Sequence, residues 1–164
     1  MANKMQDLIK FIKGFKYAGE GVINTIITER NMRVHLVCMI YMYSILGLTD
    51  WFTLTRTDWA LLFIANAVVM AGELINTAIE SVVNLVSPDF HPLAKKAKDA
   101  AAGAVLVCAV FAVCIGLCVL FQKEAFISMF EYFKTHISML VLFVISFIIA
   151  CVFMLRGIPH RKEK

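Results

Sequence analysis

Residues 59–86, WALLFIANAVVMAGELINTAIESVVNLV, decide the fold of this chain. The stretch is longer than the roughly 20 mainly apolar residues that carry a helix across a bilayer. It nevertheless holds Glu73 and Glu80 and no basic residue. An ionised carboxylate in hydrocarbon is costly, so two in one span imply a task or a partner. At about 100° per residue, Asn66, Glu73, Asn76, Glu80 and Asn84 fall within an arc of roughly 80°. One polar face runs along an otherwise apolar helix.

The rest of the chain agrees with a membrane protein. Of its 164 residues 60% are hydrophobic and 17% charged, and the mean hydropathy is +0.78. Such a composition belongs to the membrane class, and the length to one domain. A net charge of +4, dispersed among apolar segments, excludes nucleic acid as the expected partner. No P-loop GxxxxGK[ST] is present, and Gly19-Glu20-Gly21 does not extend to GxGxxG. The cysteines Cys38, Cys108, Cys114, Cys118 and Cys151 all sit in apolar segments without CxxC or Cys/His metal spacing, and read as small buried hydrophobes.

Working outward, residues 5–17 repeat Met5, Leu8, Ile12 and Phe15 at helical spacing, with Lys10, Lys13 and Lys16 between them. This pattern predicts an amphipathic helix on an anionic membrane surface, ending at Gly19 and Gly21. Lysines interrupt it too often for a secretory signal. A second helix is predicted from about Val22, carrying Thr28-Glu29-Arg30-Asn31 and Arg33 into an apolar run at 34–48 whose one ionisable residue is His35. Residues 49–58 read as a polar turn with Trp51 and Trp59 at an interface. Residues 87–98, SPDFHPLAKKAK, contain two prolines and are expected to be loop. A third span is predicted at 100–121 and a fourth at 137–155, with a partly helical linker at 122–136.

Basic residues then orient the chain. Lys4, Lys10, Lys13, Lys16, Arg30 and Arg33 lie before the first span, Lys95, Lys96 and Lys98 before the third, and Arg156, Arg161, Lys162 and Lys164 after the fourth. The other connections hold Arg56 alone, or Lys123 and Lys134 balanced by Glu124 and Glu131. One topology satisfies all of them: four spans with both termini in the cytoplasm. Glu80 and Glu73 then lie roughly 9 and 20 Å above the cytoplasmic end of their helix. Glu29, Arg33, Lys98 and Asp99 stand at the same side.

Clustered carboxylates call for a cation, and Mg²⁺ accepts oxygen ligands and commonly arrives with phosphate. A nearby lysine suits a transferred phosphoryl group, and a deeper carboxylate suits deprotonation of an alcohol held in the bilayer. The competing readings are plain. Glu73 and Glu80 can be packing carboxylates hydrogen-bonded between subunits, Asn66 and Asn76 can join helices, and Glu29, Arg33, Lys98 and Asp99 can be interfacial charges. His35 and His91 lack metal partners at helical spacing and read as structural. Spacing alone leaves a lipid-modifying enzyme and a small proton-coupled transporter both open.

Three stretches separate them. Glu29-Arg30-Asn31-Met32-Arg33, Glu73-Leu74-Ile75-Asn76-Thr77-Ala78-Ile79-Glu80, and Ala97-Lys98-Asp99 followed by Ala100-Ala101-Ala102-Gly103-Ala104 resemble the prokaryotic diacylglycerol kinase family, over about residues 8–121. The run from His91 to Asp99 is more similar to its undecaprenol kinase branch. The resemblance implies an all-α, polytopic homotrimer whose active sites are shared between subunits. Each subunit would comprise a surface helix (1–21), a three-span core (22–121), an extracytoplasmic linker (122–136), and an added fourth span with a basic tail (137–164). It implies transfer of phosphate from ATP to undecaprenol or, as the alternative acceptor, diacylglycerol. By position, Glu73 would be the general base, and Glu29 and Glu80 would hold Mg²⁺ and the nucleotide phosphates. Asn76, Lys98 and Asp99 would support ATP, as would Lys10, Lys13, Tyr17, Asp89 and His91. Arg33 and Ala102 would join Glu73 at the lipid. Asn84 departs from the family's usual aspartate, and the fourth span has no counterpart in the three-span core.

Overall fold

The computed structural model describes residues 2–156, with side chains from Met5 onward; the Lys4 side chain and the tail cations Arg161, Lys162 and Lys164 lie outside the described residues. The described chain is all helical: α1 (Ala2–Thr28), α2 (Arg30–Leu48), α3 (Arg56–Val86), α4 (Pro92–Leu120), α5 (Lys123–Thr135) and α6 (Ile137–Arg156). Helices α2, α3, α4 and α6 are each long and apolar enough to cross a membrane. This is a multi-pass membrane protein.

Three boundaries differ from the sequence reading, each for a local reason. Helix α1 continues through Gly19 and Gly21 to Thr28. A glycine inside a helix costs only about 1 kcal/mol against alanine, which does not break a helix of this length. The break falls at Glu29, whose φ −96° and ψ 120° are extended. Helix α3 starts at Arg56 rather than near Trp59, because Thr55 and Asp58 form a reciprocal capping box. Helix α4 starts at Pro92, where proline occupies the first helical position and its missing N–H costs nothing. His91 caps it, its Nδ1 accepting from the Leu93 N–H at 3.2 Å, so the loop shrinks to residues 87–91.

The link of 87–91 makes α3 and α4 an antiparallel hairpin, the most closely packed pair in the molecule. The two helices pass closely at Gly72, where a methyl would lie in ordinary van der Waals contact with the Val105 side chain at 3.7 Å. Helix α2 packs on α1, α3 and α6, and α6 in turn contacts α2 and α5. Tyr41 holds α6 near its middle, donating to Ser146 Oγ at 2.8 Å and meeting Phe143 and Phe147 edge-on.

The small apolar core lies away from the glutamates, where Leu46, Leu62 and Val119 pack with Tyr43, Trp59 and their neighbours. At the same end Gln122 ties the α2–α3 connection to the start of α5, donating to Thr53 O and accepting from Thr53 N, both at 3.0 Å. Trp51 packs on Tyr132 and Phe133, and Phe52 on Phe126. No residue of α6 is buried, as expected of a helix apolar on every side and surrounded by lipid.

Candidate functional site

The site begins at the kink between α1 and α2. Arg33 is buried and its Nη1 donates to Ile26 O at 3.1 Å and Ile27 O at 2.8 Å. Those carbonyls lie in the last turn of α1, where no intrahelical partner exists for them. The guanidinium therefore closes α1 just as α2 starts. Arg33 Nε also donates to Met154 O of α6 at 3.4 Å. Glu29 stands at the N-cap of α2 but makes no side-chain cap bond. The kink presents its carboxylate instead of consuming it.

On α3, Glu73 is only 2% exposed. His35 Nε2 of α2 approaches its Oε1 at 3.4 Å, and that oxygen has no hydrogen-bond partner. One turn on, Asn76 Nδ2 donates to Glu80 Oε1 at 3.0 Å, leaving Asn76 Oδ1 buried and unpaired. Thr77 turns inward to its own helix, donating to Glu73 O. A buried acceptor left unpaired costs about 1–3 kcal/mol. Two such oxygens lie one turn apart on one helix face, with acceptor capacity that the chain's own donors leave free.

That place is a cavity of about 170 Å³ lined by Asn31, His35, Glu73, Asn76, Ala102, Val105, Leu106 and Ala109. Glu29 and Glu80 lie close enough for their charges to bear on Glu73. Nearer the end of the α3–α4 hairpin, Lys98 Nζ donates to Asn84 Oδ1 at 2.6 Å. Asn84 is therefore a direct partner of Lys98, with a neutral amide in the accepting role. Asp99 pairs with Lys95 one turn before it.

Other candidates are not brought to the cavity. Lys10, Lys13 and Tyr17 are exposed on α1, roughly 17 to 27 Å along that helix from its end at Thr28. Asp89 and His91 are exposed in the hairpin loop, where Asp89 O accepts from Ser87 Oγ and His91 caps α4. His35 is the residue that the sequence reading undervalued. As the one ionisable group in its apolar run it was visible, but helical spacing within α2 carries no information about a glutamate on α3.

Comparison with known proteins follows the same core. The family model described as prokaryotic diacylglycerol kinase matches residues 16–120. The chain is 40% identical over 119 residues to the undecaprenol kinase of Bacillus subtilis, covering 71% of this chain and 93% of that one. It is also 40% identical over 119 residues to a diacylglycerol kinase of Synechocystis, covering 72% and 66% of the two chains. To the diacylglycerol kinase of Escherichia coli it is 32% identical over 120 residues, 73% and 95% of the two. Helices α5 and α6 lie beyond the matched family region.

Proposed function

The chain belongs to the prokaryotic diacylglycerol kinase family, and on that premise we propose that it transfers the γ-phosphoryl group of ATP to the hydroxyl of a membrane lipid, undecaprenol first and diacylglycerol as the alternative. The observation that carries this reading is the buried, unpaired carboxylate of Glu73 beside a cavity inside the membrane-spanning bundle. A water-soluble acceptor has no need of a base at that depth. A lipid alcohol presents its hydroxyl there.

In the reaction, Glu73 Oε1 takes the hydroxyl proton as the lipid oxygen bonds to the γ-phosphorus. The bond from that phosphorus to the bridging oxygen breaks, and ADP leaves with the electron pair. Holding reactants in line supplies most of the acceleration in phosphoryl transfer. Asn76 holds Glu80 by its amide, and His35 Nε2 stands 3.4 Å from Glu73 Oε1. Lys98, placed by Asn84, offers positive charge to the phosphates. Arg33 acts through the fold by fixing the kink that presents Glu29.

The donor set fits Mg²⁺. Glu29, Glu80 and the unpaired Asn76 Oδ1 are all oxygen donors, and Mg²⁺ is usually held by one or two carboxylates plus substrate phosphates. Among the described residues no three His, Cys, Asp or Glu side chains close around one point. Glu29 and Glu80 would hold the metal, and it would supply charge neutralisation along the phosphates. Both termini face the cytoplasm in this reading, and three chains assemble with sites between them.

The preference for undecaprenol rests on the run from His91 to Asp99 and on 40% identity over 93% of the Bacillus undecaprenol kinase, where the diacylglycerol kinases reach 40% over 66% of one and 32% over 95% of another. The test is direct: purified protein in detergent with labelled ATP and Mg²⁺, and undecaprenol or diacylglycerol in parallel. We expect labelled undecaprenyl phosphate to predominate. No labelled lipid in either reaction rejects the kinase reading, and ATP-independent transport driven by a pH gradient would replace it with a transporter.

A further inference from the structure

The added helix α6 touches the catalytic region, and this is unexpected of an anchor. A second cavity, about 320 Å³, is lined by Arg30, Asn31, Val34 and His35 of α2 and by Met154 and Leu155 of α6. It shares Asn31 and His35 with the cavity that holds Glu73. The two spaces therefore flank one short wall, and α6 forms the outer side of the second. Its volume falls within the roughly 300–1,000 Å³ typical of small-ligand clefts.

The position of α6 is fixed at this point, because Arg33 Nε donates to Met154 O. The arginine that closes α1 thus also holds α6 at Met154, near the last of its described residues. The lining is mixed in the manner of a lipid headgroup region. Val34, Met154 and Leu155 are apolar, whereas Asn31 and His35 lead toward the base. Arg30 adds a cation to the rim.

We propose that α6 completes the acceptor site. The carbons nearest the hydroxyl lie against Val34, Met154 and Leu155, and the hydroxyl passes Asn31 and His35 to reach Glu73. This deepens the kinase reading and rests on it. It assigns Met154 and Leu155, which lie outside the family core, a part in acceptor specificity.

The test uses the full-length protein in lipid nanodiscs with ATP, Mg²⁺ and undecaprenol. Met154→Trp and Leu155→Trp fill the cavity and should raise KM for the lipid about tenfold, the scale of a few lost or blocked apolar contacts. KM for ATP should stay within about twofold. Ile148→Trp, on an exposed part of α6, should leave both constants unchanged. A second measurement does not depend on the variants folding: an undecaprenol analogue with a photoreactive group beside the hydroxyl should label peptides of α6 as well as α2. Unchanged lipid KM in both tryptophan variants, equal rises in both constants, or labelling confined to α2–α4 overturns the proposal. Loss of lipid phosphorylation by the unsubstituted protein would instead overturn the kinase reading, so the two failures are separable.

Discussion

At the scale of single residues, the two glutamates of α3 occupy different environments although they share one helical stripe. Glu73 is enclosed, with His35 at 3.4 Å. Glu80 is partly exposed and held by Asn76. Division of labour follows. Glu73→Gln keeps the shape and removes the base; turnover should fall by about 10²–10⁴-fold, while nucleotide affinity by calorimetry stays close to that of the unsubstituted chain. Glu80→Gln should weaken Mg·ATP binding instead. An active Glu73→Gln protein moves the base elsewhere. The stripe itself was legible because 3.6 residues per turn converts spacing into direction. The partners of Asn84 and the closeness of His35 were not, since both depend on how α2, α3 and α4 pack. Arg33 shows the same limit: its charge was read as interfacial or lipid-facing, and the fold uses it to close α1 and hold α6.

At the scale of elements, hydropathy and length give helix identity and the ends at 48, 86 and 137–155, but not the α1–α2 break or the starts of α3 and α4. Pro92 by itself predicts a loop, yet it opens α4, because position within the first turn reverses its effect. The sequence Thr55-Arg56-Thr57-Asp58 carried a capping signature that places the start of α3 one turn earlier than the apolar run suggests. Its contribution can be measured. Thr55→Ala removes the side chain that accepts from the Asp58 N–H and should destabilise the folded protein by about 0.5–2 kcal/mol. Thermal unfolding in detergent should show the loss with lipid kinase activity retained at low temperature. An unchanged melting temperature means that lipid-facing packing alone fixes that end of α3.

At the scale of the whole molecule, the chain exposes 12482 Å², about half as much again as the roughly 8,200 Å² expected of a compact soluble protein of this mass. Large side chains on α3 and α4, among them Phe63, Ile64, Ile75, Leu106 and Phe111, contribute to it. A bundle this open is covered by lipid, by further copies, or by both. On the family resemblance a trimer in gentle detergent is the expected state, and the uncovered apolar faces of α3 and α4 leave surface for it. Native mass spectrometry should find three chains as the principal species, and inactive subunits mixed with active ones should reduce activity out of proportion if sites are shared. A fully active monomer rejects that assembly. The trimer was inferred from resemblance alone, for no pattern within one helix specifies which outer face meets another copy.

The short link between α3 and α4 also constrains how the chain can be made. A lone α3 would carry Glu73 into hydrocarbon before any partner was present, at a cost of about 2.5–3.5 kcal/mol by insertion scales for a carboxylate near the centre of a span. With only residues 87–91 between them, α3 cannot settle in the bilayer without drawing α4 after it, and α4 is the more apolar of the pair. The two helices are thus bound to enter as one hairpin. The greasiness of α4, beyond its share in packing, is what draws a helix with a buried acidic side chain into the bilayer.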